Sequence, residues 1–160
     1  MSVKKLAYWL LPVAWMGMLF YSSSTPYQEQ TLKPFLASYM DLSFLKPLLH
    51  PIVFTYHHTI VSVEQLGVEG FVEFFIRKGA HLGSFFILFG LFYIALHKGT
   101  ASEKKRLWSL LLTISYAVID EMHQGFTPNR TPYYGDVIID TAGALLALLL
   151  VTTFRNKKQK

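Results

Sequence analysis

Apolar residues recur in four runs along the chain, at about Leu6–Tyr21, Gly79–Leu96, Leu107–Gln124 and Val137–Phe154. A helix rising about 1.5 Å per residue needs roughly 20 residues to cross a hydrocarbon core about 30 Å thick. The pattern therefore predicts an all-α, polytopic bundle of four transmembrane helices in a single domain. The first two runs are slightly short, which interfacial Trp9, Tyr21 and Arg77 offset. Pro12 in the first run is tolerable where neighbouring helices satisfy the freed carbonyl.

Residues 22–76 form the longest piece outside the runs. Phe35–Leu49 is apolar, but Asp41, Lys46, Pro47 and nearby Pro51 make it a poor membrane span, so a helix lying at the interface is expected. Ile52–Val63 alternates loosely and is rich in β-branched residues, which fits a short strand or hairpin. Gly67 and Gly70 break the pattern before Phe71–Arg77 leads into the second span.

Composition agrees with a membrane class: the 160 residues are 52% hydrophobic and 16% aromatic, with mean hydropathy +0.32. The chain has no cysteine, which removes disulfides and thiolate metal ligation from consideration. Its net charge of +5 is unevenly placed. Ten of the 15 basic residues precede the first run, separate the second from the third, or follow the fourth, with only Glu103 to oppose them. The positive-inside rule puts both termini in the cytoplasm, as expected for a multi-pass protein of the plasma membrane. Basic residues here set topology, and no nucleic-acid partner is expected. The tail Arg155–Lys160 reads as a stop-transfer anchor to anionic lipid. Ser22–Pro26 offers no A-x-A-like cleavage site, so the first run is expected to remain as an anchor.

The chemistry-bearing residues gather at the outer ends of the runs. Arg77, Lys78 and His81 open the second; Asp120, Glu121, His123 and Gln124 close the third; Asp136 and Asp140 open the fourth. Counting along each helix from its cytoplasmic end puts His81, Asp120, Glu121 and Asp140 at about the same depth, roughly one turn inside the outer boundary. Arg77 and His81, Asp120 and Gln124, and Asp136 and Asp140 are each four apart and share a helix face. Small residues (Gly79, Gly83, Gly90, Gly143 and Ala147) permit close helix contact, which would set Arg77 and His81 opposite Asp120 and Asp140.

Structural readings stand beside functional ones. Lys78 can snorkel, Asp136 can cap the fourth helix, and His57, His58 and His123 can be surface residues. Arg77, His81, Asp120 and Asp140 can serve as packing ion pairs. As a functional cluster, Arg77, Lys78 and Arg130 would clamp an anion while His81 or His123 moves protons beside Asp120 or Glu121. Alternatively, Asp120, Glu121, Asp136 and Asp140 would hold a divalent ion together with a histidine. No HExxH spacing, nucleophile elbow, P-loop or dinucleotide fingerprint is present, so neither a metal nor a cofactor is expected. Gly125–Pro132 is a proline-stiffened turn that projects Arg130 from a fixed corner.

These same residues carry a resemblance. Ser22-Ser23-Ser24-Thr25-Pro26, Phe75-Ile76-Arg77-Lys78-Gly79-Ala80-His81, Asp120-Glu121-Met122-His123-Gln124 with Pro128-Asn129-Arg130, and Gly135-Asp136 through Asp140 to Gly143 resemble the VanZ-like family of bacterial membrane proteins in content and order. The chain departs from that pattern at Gly83-Ser84-Phe85, where an aromatic-rich Glu-Tyr continuation is common, and at Asp140, where Asn is common. The resemblance implies a role in the cell envelope and an association with low-level resistance to the lipoglycopeptide teicoplanin. The expected partners are membrane lipid and either a lipid-linked envelope precursor or a glycopeptide. Two readings lead: a non-enzymatic membrane factor that binds such a ligand, or a membrane enzyme acting on an envelope phosphate or glycan. A small transporter is a third, but so few spans would need oligomerisation to form a path.

Overall fold

The computed structural model describes the backbone of residues 3–99 and 104–157, and the side chains of residues 5–98 and 104–154. The side chains of Lys4, Glu103 and the basic tail, which carry part of the topology argument, lie outside the described residues. The chain is mostly helical. Helix α1 (Val3–Ser23) is followed by a 3-10 turn at Tyr27–Gln30 and the short α2 (Lys33–Tyr39) and α3 (Lys46–Leu49). Strands β1 (Phe54–Tyr56) and β2 (Thr59–Val61) come next, then α4 (Val63–Gly99), α5 (Lys105–Gln124) and α6 (Tyr134–Lys157).

Three of these helices are long and apolar enough to cross a membrane: Lys5–Ser23, Val63–Lys98 and Tyr134–Phe154. The third expected span forms α5, a 20-residue helix with too many polar positions to join them on length and composition. Its burial pattern is inverted relative to a water-soluble helix. Ser109, Thr113, Tyr116, Asp120, Glu121 and Gln124 are buried, while Leu107, Leu111, Val118, Ile119 and Met122 are exposed.

Helix α4 is the central element and contacts α1, α5 and α6. It starts well before the expected Gly79, because Ser62 Oγ accepts the Gln65 amide at 3.2 Å and caps its first turn. Gly67 then interrupts it with φ 73° and ψ 169°, a conformation that only glycine adopts without strain. Helix α6 packs tightly on α4 at Gly143, where an added Cβ would lie 2.1 Å from the Leu82 carbonyl oxygen. Gly79, Gly83 and Gly90 have open space around them, so the expected small-residue contact runs through Gly143 and buried Ala147 instead.

The expected single interfacial helix over Phe35–Leu49 is broken into α2, a 3-10 turn and α3. Asp41 Oδ1 accepts the Ser43 amide at 3.0 Å and the Ser43 hydroxyl at 2.5 Å, and Pro47 begins a new helix. The strands pair antiparallel with Phe54 opposite Val61 and Tyr56 opposite Thr59. Their two-residue turn, His57-His58, has positive φ at both positions, as the natural twist of a tight hairpin requires. Leu36, Leu42, Val61, Val63, Val68 and Phe71 form a core beneath these pieces. A second core, with Phe85, Leu88, Phe92, Tyr116 and Ala117, joins α1, α4 and α5.

Candidate functional site

The ends of α1 and α5, the start of α6 and the middle of α4 surround one cavity of about 380 Å³. Arg77, Lys78, His81, Asp120, Gln124, Arg130 and Asp136 all line it. Their partners differ from those that spacing suggests.

Arg77 does not face Asp120 or Asp140. Its Nη2 lies 2.6 Å from Glu73 Oε1 and its Nε donates to the same oxygen at 2.8 Å. The carboxylate one helical turn earlier is nearer than any on a neighbouring helix. Nη2 also donates to the Gln30 carbonyl at 2.6 Å, and the guanidinium lies 4.2 Å from the centre of the Tyr27 ring. Glu73 has 0% exposure, and the Thr31 hydroxyl donates to its other oxygen at 3.0 Å.

Lys78 does not snorkel. Its ammonium pairs with Asp136 and sits 4.5 Å from the Tyr56 ring centre. The Tyr56 hydroxyl donates to the same Asp136 oxygen, so this carboxylate holds β1 and α4 to α6 and is more than a cap. Burial, reinforced by Asp136, raises the Tyr56 pKa well above the usual tyrosine value and keeps the hydroxyl a donor.

Asp120 is held by neutral donors. Ser23 Oγ reaches its two oxygens at 2.8 and 3.0 Å, and Gln124 Nε2 donates to it at 2.9 Å. The other end of the Gln124 amide accepts from Arg130 Nη1 at 3.0 Å, so Gln124 links a carboxylate to a guanidinium. Arg130 also donates to Gln30 Oε1 at 2.7 Å and to the Thr25 carbonyl at 3.1 Å. Burial, with the like charge of Arg77 nearby, lowers its pKa from the usual arginine value.

His81 faces one of the two carboxylates expected opposite it. Its Nδ1 lies 3.3 Å from Asp140 Oδ1, an ion-pair distance. Asp140 has 0% exposure, and neither of its oxygens has a hydrogen-bond partner. With Nδ1 against that carboxylate, Nε2 is the nitrogen available to a ligand.

Asp140, Glu121 and His123 do not line the cavity, and His57 changes place. Glu121 turns away from it: Oε1 accepts the Tyr133 amide at 2.5 Å, and the side chain lines a separate groove. His123 stacks on Phe20 at 4.0 Å and lies 2.9 Å from Ser24 Oγ, away from the cavity. His57, expected at the surface, lines the cavity and packs on Tyr133, whereas His58 is exposed. Among the described residues no three histidine, aspartate or glutamate side chains converge in a metal-binding arrangement. Sequence reasoning missed Ser23, Glu73, Gln30 and Tyr56. Ser23 sits inside a motif already singled out, and Glu73 is four residues before Arg77, so both carried a signal. Gln30 and Tyr56 arrive from a turn and a hairpin and carried none.

The arrangement offers cations, two carboxylates and an imidazole to one cavity, which suits a ligand bearing both an anionic group and hydroxyls. No curated protein and no solved structure matches the chain. A family model described as VanZ/LLP1 matches residues 8–155, a range that takes in every residue of the cavity. This is a membrane protein of the VanZ family.

Proposed function

We propose that the cavity faces the cell exterior and binds the phosphorylated headgroup of an envelope lipid or lipid-linked precursor, within one domain of four membrane spans whose termini are cytoplasmic. The single observation that carries this reading is Arg130. Its guanidinium lines the cavity, and its hydrogen bonds go to neutral oxygens of Gln124, Gln30, Thr25 and Ser22. An arginine so placed retains charge and fork geometry for a phosphate, while Asp120 can accept from sugar or glycerol hydroxyls. Support for α5 as the fourth span comes from its exposed apolar and buried polar faces, the pattern of a helix solvated by lipid. A ligand held there would alter how envelope precursors meet teicoplanin, the association that family membership brings.

A second reading is favoured by the His81–Asp140 pair. A buried carboxylate behind Nδ1 orients an imidazole for general acid–base chemistry at Nε2, which fits a membrane enzyme acting on the same headgroup. His81→Ala, Asp120→Asn and Arg130→Ala, each verified for membrane insertion, separate the two. Binding alone predicts that Arg130→Ala lowers teicoplanin tolerance and weakens phospholipid retention by about tenfold, the equivalent of one charge-assisted hydrogen bond. It also predicts no turnover of labelled lipid phosphate by the unaltered protein. Turnover that disappears in His81→Ala would establish the enzyme, and unchanged retention in Arg130→Ala would overturn the headgroup site.

A further inference from the structure

Beside the polar cavity, the outer ends of α5 and α6 enclose a second space of about 420 Å³, lined by Val118, Met122, Phe126, Pro132 and Val137. Two observations distinguish it from the rest of the apolar exterior. Tyr133 lines both spaces, so the groove adjoins the polar cavity. Glu121 lines it as well, is only 5% exposed, and has an Oε2 with no hydrogen-bond partner. A buried acceptor left without a donor is costly, and an apolar wall supplies none.

We propose that this groove takes an acyl chain of an outer-leaflet lipid, and that an uncharged hydroxyl on the same lipid donates to Glu121 Oε2. The inference rests on the reading that the polar cavity receives a lipid headgroup, and it names the ligand as a bilayer lipid entering sideways between α5 and α6. Depth supports this occupant. Glu121 lies one turn from the end of α5, where the polar and acyl regions of a bilayer lipid meet, and exposed Met122, Phe126 and Tyr134 flank the opening.

The test uses the full chain in nanodiscs containing phosphatidylglycerol with a diazirine in one acyl chain, and maps cross-links by mass spectrometry. Labelling of Val118, Met122 and Phe126 should exceed that of Leu10 and Val13, which are exposed on α1, severalfold. Val118→Trp should reduce the excess to the α1 level. Phosphatidic acid with the same chains, which lacks the headgroup hydroxyls, should label the groove less. Glu121→Gln, which keeps an acceptor for the Tyr133 amide, should remove an advantage of about tenfold for phosphatidylglycerol. Groove labelling equal to that of α1 in the unaltered protein would overturn the proposal without reliance on any variant. Equal labelling by the two lipids would overturn the role of Glu121. If groove labelling persists while Arg130→Ala leaves phospholipid retention unchanged, the headgroup reading fails and the groove stands.

Discussion

Arg77 is the cation that compensates Glu73, and Glu73 has no contact with solvent. Arg77→Ala would therefore strand a buried carboxylate, at a cost of about 3–5 kcal/mol. Replacing both residues, as Glu73→Gln with Arg77→Gln, removes the charge together with its partner. The double variant is expected to be more stable than Arg77→Ala, read as the midpoint of thermal unfolding in detergent. Equal midpoints would show that Glu73 is not held by this pair. At this scale the cluster was legible in part. Spacing of four along one helix identifies residues on the same face, and of the expected pairings of Arg77 and His81 with Asp120 and Asp140 only His81 against Asp140 is formed. It does not identify the nearest counter-charge, because that depends on the tilt and rotation of helices far apart in sequence. Asp120 illustrates the difficulty: its Ser23 partner lies 97 residues away and carries no charge to betray the pairing.

At the level of elements, one glycine governs how α4 and α6 meet. A Cβ at position 143 would strike backbone, and backbone cannot rotate aside as a flexible side chain can. Gly143→Ala should cost about 1–3 kcal/mol through displaced helix packing. Gly83→Ala, with nothing within 4 Å of the new methyl, should be neutral or slightly stabilising. Thermal unfolding of the two variants side by side checks the contrast, and equal midpoints would dispose of the close contact. The long apolar runs announced α1, α4 and α6, since hydropathy over many residues is a strong signal. Which glycine mattered was not legible, because composition counts small residues without knowing which face they occupy. The start of α4 was obscured for a similar reason: Gly67 and Gly70 resemble a break, yet only Gly67 leaves the helical conformation.

For the whole molecule, the proposed orientation makes a direct prediction. The chain lacks cysteine, so a single introduced thiol reports without background. Asn129→Cys, on the exposed turn between α5 and α6, should react with a membrane-impermeant maleimide added to intact cells. Thr100→Cys, between α4 and α5, should react only after permeabilisation. The reverse pattern would turn the cavity towards the cytoplasm and remove envelope precursors as ligands. Counting along the helices to one depth brought His81 and Asp120 to one cavity, but Glu121 and Asp140, counted to the same depth, do not line it. The cavity's roof was not foreseeable. Tyr56 and His57 come from a hairpin whose position above α4 is set by Phe54, Tyr56 and Phe74 packing together.

The inverted stripe of α5 bears on how this protein is made. Seven buried positions, six of them polar or phenolic, leave that helix a poor candidate for partitioning into lipid by itself as it leaves the ribosome. In the four-span reading proposed above, its entry waits for company: α4 to shield one flank and α6 to cover the other. On that reading biogenesis is all-or-none, with the polar cavity sealed by the same late event that commits α5 to the bilayer.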